Sequence, residues 1–468
     1  MTTQMDQPPT TPTADPASGK PEAANNMGYK GLALRWLADH SSGKIPHLVF
    51  WEDQFHLWDM GYYNRYKHDV MATIIHQWLM EKDIHSDRFV AEKVAHCLRA
   101  LRLLLVRDVQ PFWLDPFQHL NADNREWVAM ASEMISPPKY TSGSKFTVSK
   151  RALTPAWFTP CKIPYDFVEG ATCPAWEEWL AERVPDHDLR LLLQEFFGYC
   201  LLPDTSKQSA LFLVGDSGTG KSTILKVLLH MLGEVNCSNI PLESFNKTFI
   251  LGHSQGKLLN WCDESQKILP AGIEQMLKWY ISGSPITVDR KYMSAIDMVP
   301  TARLAVCVNS WPQFRDSTDG IWRRILCVPV TKVMPVSSHR PEVTERLLSQ
   351  LPGIFNWALV GYRRLKDNGH FTPTVAGAAE LASIQSEQQS HRTFVAECVA
   401  PKRGGFALNE DLFGCYRRWC ESRGVPVEST IRTLLAEIRK QYPDAEPFTK
   451  KIPGTALTRR GYRGIIVS

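Results

Sequence analysis

Long apolar runs and closely paired cysteines are both missing from this sequence. No stretch of about 18 consecutive apolar residues occurs, so the sequence predicts no membrane span. The eleven cysteines are scattered without a C-x-x-C pair, which argues against a zinc ribbon or a disulfide framework. We interpret them as reduced thiols of a cytoplasmic protein, most of which pack as small apolar groups.

The first 28 residues contain no Val, Ile, Leu or aromatic residue, although they contain five prolines. Such a segment cannot bury enough apolar surface to fold, and it also lacks the apolar core of a signal peptide. We therefore expect a disordered tail at 1–28. The full length of 468 residues suggests two to four domains.

Charge is distributed unevenly along the chain. Residues 390–468 hold 14 Lys or Arg against 8 Asp or Glu, a net charge of +6, whereas the remainder holds 39 against 41, a net charge of −2. A basic module of this kind can contact nucleic-acid phosphates, although a solvated basic surface has the same composition. Helical patterns followed by two short strands predict a winged helix-turn-helix in this segment.

A phosphate-binding loop is predicted within ALFLVGDSGTGKST (210–223), which matches G-x-x-x-x-G-K-[ST]. An apolar strand precedes the glycines and a helical pattern follows them, which is the context that this motif requires. Lys221 is expected to reach the β- and γ-phosphates of ATP, and Ser222 to bind Mg²⁺. The predicted contacts are Gly215, Asp216, Ser217, Gly218, Thr219, Gly220, Lys221, Ser222 and Thr223.

An acidic pair, Asp263 and Glu264, ends a second apolar strand in KLLNWCDE. We expect Asp263 to help to hold Mg²⁺ and Glu264 to polarise the attacking water, which indicates an ATPase rather than a kinase. Two surface carboxylates at a strand end are the alternative.

Three further features follow along the chain. Asn309 ends the apolar strand of ARLAVCVNSWP and is expected to sense the γ-phosphate, or else to cap a turn. Arg323 and Arg324 are candidates for an arginine finger that acts on a neighbouring subunit, or else are surface arginines. The stretch ITVDRKYMSAIDMV predicts a β-hairpin whose tip carries Arg290 and Lys291, either to grip a phosphate backbone or as a decoration.

Together these motifs resemble the superfamily 3 helicases of the AAA+ class. The order GDSGTGKS, LLNWCDE, SGSPITVDRKY, VCVNSWP and WRRI is that family's order. The flanks, such as TPCKIPYDFVEGATCPAWEEWL and LFGCYRRWCESRG, are similar to phage, plasmid and poxvirus primase-helicases. The resemblance covers about residues 45–468.

The resemblance implies an α/β fold, in which an AAA+ P-loop ATPase core lies between an N-terminal mainly helical domain and a C-terminal winged helix. The expected boundaries are 29–195 for the N-terminal domain, 196–335 for the core, 336–389 for a helical connector and linker, and 390–468 for the winged helix. About 45 residues precede the shared region, too few for the primase-polymerase domain of larger relatives, so primase activity is not inferred.

The function implied is that of an ATP- and Mg²⁺-dependent replicative DNA helicase of a phage, plasmid or other mobile element. Such a protein forms a homo-hexamer, acts on single-stranded and forked DNA, and works with a separate primase or replication initiator. Lys291 and Arg290 correspond to the DNA-contacting hairpin, and Arg324, with Arg323 as the second choice, corresponds to the arginine finger. Two alternatives remain open at this point: an AAA+ helicase loader or remodelling ATPase, and a nucleotide-switched DNA-binding regulator or defence protein.

Overall fold

The structure is a computed structural model. It describes residues 28–82, 90–107, 126–139, 147–263, 269–270, 272–290, 293–314, 320–333, 341–425, 427, 429–451 and 458–467. The tail expected at 1–28 therefore lies outside the described residues except for Gly28. Within them, no helix is both long enough and apolar enough to cross a membrane.

The described chain is a mixture of helices and strands. The helices are α1 (Tyr29–Asp39), α2 (His68–Glu81), α3 (Val90–Leu105), α4 (Pro174–Arg183), α5 (His187–Tyr199), α6 (Lys221–Leu232), α7 (Thr248–Leu251), α8 (Ile273–Ser282), α9 (Pro341–Leu348), α10 (Leu351–Asn368), α11 (Val375–Gln388), α12 (Ser390–Cys398), α13 (Asn409–Arg423) and α14 (Ile431–Gln441). The strands are β1 (Ser41–Ser42), β2 (Ile45–Pro46), β3 (Leu48–Trp51), β4 (Gln54–Asp59), β5 (Tyr62–Tyr66), β6 (Val106–Arg107), β7 (Val128–Ala129), β8 (Glu133–Lys139), β9 (Thr147–Ala152), β10 (Ala210–Val214), β11 (Cys237–Ser238), β12 (Leu259–Asp263), β13 (Ile286–Arg290), β14 (Met293–Met298), β15 (Arg303–Val308), β16 (Ile325–Pro329), β17 (Val399–Leu408), β18 (Glu446–Lys451) and β19 (Thr458–Val467).

The N-terminal part is only partly as expected, because strands β1–β5 lie between α1 and α2, and strands β6–β9 between α3 and α4, where a mainly helical domain was predicted. Strands β3–β6 form one sheet in the order β5-β4-β3-β6, and β7–β9 form another. In the first of these sheets, β3 and β6 are parallel, and Phe50 of β3 pairs with Val106 of β6. Local periodicity cannot show this pairing, since the two residues are distant in sequence.

A five-stranded parallel sheet forms the centre of the fold, in the order β11-β12-β15-β10-β16. After β10 the chain passes through α6 to β11, which lies at the far edge of the sheet. Strands β12 and β15 fill the space between β11 and β10, and β16 is added later on the other side of β10. This reversal makes the carboxyl end of β10 a topological switch point, where parallel sheets of this type bind their ligands.

Both faces of the central sheet are covered, as its apolar strands require. All five residues of β10 are buried, and they alternate between two cores. Leu211 and Leu213 face the core formed with α5, α6 and α10, whereas Phe212 and Val214 face the core that includes α8. The parallel pairing of β10 with β15 and β16 sets its direction and hence the edge at which its following loop emerges.

Helices α5 and α10 cross with their backbones in close contact. A Cβ atom at Gly361 would lie 2.0 Å from the carbonyl oxygen of Gln194, and one at Gly198 would lie 2.3 Å from the backbone nitrogen of Tyr362. Next to this crossing, the fully buried Glu195 accepts hydrogen bonds from the Nε of Arg364 and the backbone nitrogen of Thr372, each at 2.7 Å. The buried charge is therefore paired and hydrogen-bonded.

We expect Gly361→Ala to lower the free energy of unfolding by about 1–3 kcal/mol, because the added methyl group forces the two helices apart. Gly414→Ala in α13 is the matched control, since its Cβ meets nothing within 4 Å. Alanine favours a helix interior over glycine by about 1 kcal/mol, so the control should leave stability equal or higher. Denaturant titration of the two variants measures both effects. Equal stability would contradict the close crossing.

The C-terminal part has its own core, formed by α12, α13, α14 and the antiparallel sheet β17-β19-β18. Phe394, Tyr416, Leu434, Ile438 and Tyr462 are buried in it. The element order is α12, β17, α13, α14, β18, β19. The helices and final strands predicted here are therefore present, together with the long strand β17, which was not predicted.

Candidate functional site

The loop between β10 and α6 lies at the carboxyl edge of the central sheet. Gly215 and Gly218 have φ angles of +151° and +81°, which side chains rarely allow. A Cβ at Gly215 would also lie 2.1 Å from the carbonyl oxygen of Val330, so only glycine fits where the loop leaves the sheet. Thr219 is buried, and its hydroxyl donates to the carbonyl oxygen of Asp216 at 3.0 Å. The loop is thus held in one shape by its own residues.

Lys221 is the first residue of α6, and its side chain is almost entirely buried, with 5% exposure. The Nζ donates to the carbonyl oxygens of Gly215 at 2.6 Å and of Asp216 at 2.7 Å. The ammonium group therefore lies inside the curve of the loop, bound to its backbone. Gly220, in the left-handed region, precedes the helix without a side-chain cap.

The structure brings Ser222 and Asp263 together, although 41 residues separate them in sequence. The hydroxyl of Ser222 donates to Oδ1 of Asp263 at 3.1 Å. Asp263 ends β12 and is paired in register with Cys307 of β15. A hydroxyl oxygen and a carboxylate oxygen thus lie side by side next to the loop.

Two thiols adjoin this carboxylate, and both remain neutral. Burial raises the pKa of Cys262 to about 11. Burial also raises the pKa of Cys307, and the neighbouring carboxylate of Asp263 raises it further. Because a thiolate is the form that attacks carbon or binds metal, these cysteines have a packing role beside the site.

A cleft of about 410 Å³ extends from the loop. Asn309, directly after β15, lines it together with Gly215 and Asp216, so the predicted sensor residue and the loop share one space. The volume lies within the range of small-ligand sites. Its other wall includes Trp311, Gln313, Thr331, Glu380, Ile384, Glu387 and Gln388.

Helix α11 supplies this second wall, and it lies within the segment 336–389 that was predicted to be a helical connector and linker. The indole nitrogen of Trp311 donates to Glu380 at 3.2 Å. Gln388 accepts from the backbone nitrogen of Phe314 at 2.9 Å and donates to the carbonyl oxygen of Pro312 at 3.0 Å. The helix therefore fixes the segment that carries Asn309. Its four alanines, two glutamates and two glutamines are the signal that could have indicated a helix.

Arg323 and Arg324 lie at the opposite, amino edge of the sheet, because Ile325 pairs with Ala210 at the start of β10. Five strand residues separate this edge from the loop, a distance of roughly 16 Å at 3.3 Å per residue. Arg323 is exposed. Arg324 is half-buried, and it donates to the carbonyl oxygen of Gly320 and, at 3.4 Å, to Oε1 of Gln208. Neither arginine lies at the loop of its own chain.

A second cleft, of about 350 Å³, adjoins these arginines. Helix α8 forms its other side, with the side chains of Lys278 and Trp279. The cleft therefore carries three basic side chains and an exposed aromatic ring, since Trp279 is 42% exposed. The remaining lining residues are Gln275, Ser282, Ser284 and Gly320.

The predicted hairpin is confirmed in its two strands, because β13 and β14 pair antiparallel from Ile286 and Met298 to Arg290 and Met293. Ile286, Val288 and Met298 are buried in the core beside α8, and Thr248 of α7 donates to Asp289 at 2.6 Å. The hairpin is thus anchored at its base. Lys291 at its tip lies outside the described residues, as does Glu264, and the structure does not describe the side chain of Arg290.

Three comparisons with known proteins add similarities to this geometry. Residues 213–324 match a family of unknown function, DUF5906. An uncharacterized mitochondrial protein, ymf21, of Marchantia polymorpha is 29% identical over 86 residues, which cover 18% of this chain and 48% of that protein. The chain thus spans about half the length of this curated relative.

Solved structures similar to this chain include three apo structures of the C-terminal region of NrS-1. They are 12–14% identical to it, with TM-scores of 0.46–0.48. The matches cover 93–94% of this chain and 98–100% of those chains. The function of this chain is therefore inferred from its own site.

Proposed function

We propose that this protein is an ATP-driven, ring-forming DNA helicase that translocates on single-stranded DNA during replication of a phage, plasmid or other mobile element. One observation carries the proposal. Lys221, the bonded pair Ser222–Asp263 and Asn309 all lie at one edge of the sheet. Arg323 and Arg324 lie at the opposite edge. A complete site for phosphoryl transfer then needs two subunits.

The loop supports binding of the ATP phosphates. Its glycines allow close approach of the backbone, and α6 directs its positive end toward the loop. Lys221 supplies a full positive charge inside the loop, already bound to carbonyl oxygens that a phosphate oxygen would replace. The adjoining cleft of about 410 Å³ offers room beyond the loop.

Ser222 and Asp263 fit Mg²⁺, which prefers oxygen ligands and is usually held by few protein groups together with substrate phosphates. Their oxygens lie 3.1 Å apart, one from a hydroxyl and one from a carboxylate. When bound, Mg²⁺ neutralises charge on the phosphates. Asp263 and Ser222 would hold the ion, Glu264 in the next position would take the water proton, and Asn309 would hold the attacking water or the γ-phosphate.

Charge on the two clefts supports a head-to-tail assembly. Asp216, Glu380 and Glu387 line the cleft at the loop, whereas Lys278, Arg323 and Arg324 line the cleft at the opposite edge. Identical copies can therefore join an acidic surface to a basic one. Contacts of this heterologous kind form a ring when the rotation between copies closes, and a homo-hexamer is the ring we propose. In it, Arg324 or Arg323 of one copy completes the ATP site of the next.

The anchored hairpin supports a coupling of hydrolysis to DNA. Its tip carries Arg290 and Lys291 in sequence, and cations at this position contact phosphates without reading bases. In a ring, the hairpin tips of all copies line one channel. The C-terminal part is proposed to be a winged helix that binds DNA or a replication partner, such as a separate primase or initiator.

Hydrolysis stimulated by single-stranded DNA tests this proposal. Lys291→Ala should remove the stimulation and the unwinding of a forked duplex, but leave hydrolysis without DNA unchanged, because the proposed role of Lys291 is to contact DNA and not ATP. Lys30→Ala, an exposed lysine of α1, is the matched control and should behave as the wild type. Unwinding that survives Lys291→Ala rejects the hairpin motor. Hydrolysis without any unwinding by the wild type indicates a loader, and ATP-switched DNA binding alone indicates a regulator.

A further inference from the structure

The sheet of the C-terminal part is strongly basic. Its strands β17, β18 and β19 contain seven Lys or Arg residues and a single acidic residue, Glu446. The basic residues are Lys402, Arg403, Lys450, Lys451, Arg459, Arg460 and Arg463. Most of β17 and nearly all of β18 are exposed, so this charge faces solvent rather than a partner element.

The register shows which of these side chains share a face. Phe406 pairs with Arg463, Phe448 with Gly461, and Lys450 with Arg459. Directly paired residues point to the same side of a sheet, as do residues two positions apart. These residues therefore lie on one outer face, whereas Tyr462 and Ala407 point into the core.

Two aromatic rings lie in the middle of this outer face. Phe406 is 54% exposed, and its ring centroid lies 5.9 Å from that of Phe448 at nearly a right angle. Lys450 lies 5.6 Å over the ring of Phe406, and Arg463 lies 5.4 Å over that of Phe448. A Cβ at Gly461 would lie 3.0 Å from Phe448, so the glycine leaves space for this ring. Aromatic and basic groups thus alternate over a continuous surface.

This alternation matches one class of ligand. Single-stranded nucleic acids are bound by cationic surfaces that follow the backbone and by aromatic rings on which bases stack. A duplex conceals the faces of its bases, so an exposed phenylalanine gains little from it. An acidic protein would use the charges but not the ring of Phe406. Among the described residues, Glu446 lies opposite Arg463 and Glu410 lies 3.7 Å from Arg459, so two carboxylates accompany the basic groups of the sheet.

We propose that the outer face of the β17-β19-β18 sheet is a binding site for single-stranded nucleic acid, on which Phe406 stacks with a base while Lys450 and Arg463 contact the flanking phosphates. The site goes beyond the proposed motor, because it requires neither ATP nor the hairpin. It holds a strand outside the ring.

The test measures binding of a labelled oligo(dT) to the full chain by fluorescence anisotropy without ATP. All variants carry Lys291→Ala, which removes the proposed channel contact. Phe406→Ala should weaken binding about fivefold or more without changing its salt dependence, because stacking carries no charge. Arg463→Ala and Lys450→Ala should each lower the slope of log affinity against log salt by about 0.7. Phe406→Tyr should restore binding.

Arg432→Ala and Ile431→Ala on the exposed start of α14 are the matched controls and should bind as the parent does. Basal ATP hydrolysis and thermal stability should be unchanged in Phe406→Ala, which separates this site from the motor. Oligo(rU) in place of oligo(dT) shows whether the ligand is RNA or DNA. The proposal is overturned if Phe406→Ala binds oligo(dT) as tightly as its parent does. It is also overturned if duplex DNA binds as tightly as oligo(dT) and Phe406→Ala weakens both equally, or if only Arg432→Ala weakens binding.

Discussion

Lys221→Ala is expected to reduce ATP hydrolysis by about 10²-fold or more, since it removes a charge directed at the transferred phosphoryl group. The structure gives the reason for so large an effect. Lys221 is buried, and its Nζ is fixed by two carbonyl oxygens of the loop, so no other described lysine can replace it there. Steady-state hydrolysis and nucleotide binding measure the loss.

Lys221→Met is the control for size, because it keeps the length of the side chain and removes only the charge. Both variants should fold as the wild type does, since the carbonyl oxygens of Gly215 and Asp216 belong to a loop that water can reach. Lys226→Ala, an exposed lysine of the same helix, should retain activity. Hydrolysis at the wild-type rate by Lys221→Ala would show that this loop is not the ATP site.

Arg324→Ala is expected to lower hydrolysis by about 10³-fold while ATP binding persists, because an arginine finger acts mainly in the transition state. Its position requires that the finger act on a neighbouring copy, as it lies at the edge of the sheet opposite the loop. Arg323→Ala is the parallel variant, since Arg323 is the more exposed of the two. The variant with the larger loss of hydrolysis identifies the finger. Hydrolysis at the wild-type rate in both variants would show that neither arginine is a finger.

Mixing tests the action between subunits. Lys221→Ala subunits keep the arginine, and Arg324→Ala subunits keep the loop, so each alone is inactive. If one copy completes the site of the next, mixed rings contain some complete sites and recover part of the hydrolysis. Recovery should vanish when Lys221→Ala and Arg324→Ala are combined in one chain and mixed with Lys221→Ala. No recovery in the first mixture would place the arginine effect within a single chain.

Elements with strong local signals could be predicted from the sequence. The order of apolar strand, glycine loop and helix at 210–232 determines its own conformation, because Gly215, Gly218 and Gly220 allow the chain to turn there. The hairpin β13–β14 follows from alternating apolar residues that the core buries on one side. The pairing of Ser222 with Asp263 follows from two parallel strands that end at one edge.

Features that depend on long-range packing could not be predicted. The alanines of α11 favour a helix, but its place is set by contact with β16, where a Cβ at Gly377 would lie 2.3 Å from the carbonyl oxygen of Cys327. The separation of Arg324 from the loop depends on the register of β16 against β10. The order of the motifs shows that the loop and Arg324 lie within 110 residues of each other in sequence. It does not show that they lie at opposite edges of the sheet.

Unwinding of a forked DNA duplex by the purified wild-type protein tests the central claim most directly. The account predicts strand displacement that requires ATP and Mg²⁺, fails with a non-hydrolysable ATP analogue, and declines steeply with salt, because phosphate contacts carry the translocation. Hydrolysis of ATP on the same substrate with no displaced strand at any salt concentration would contradict it.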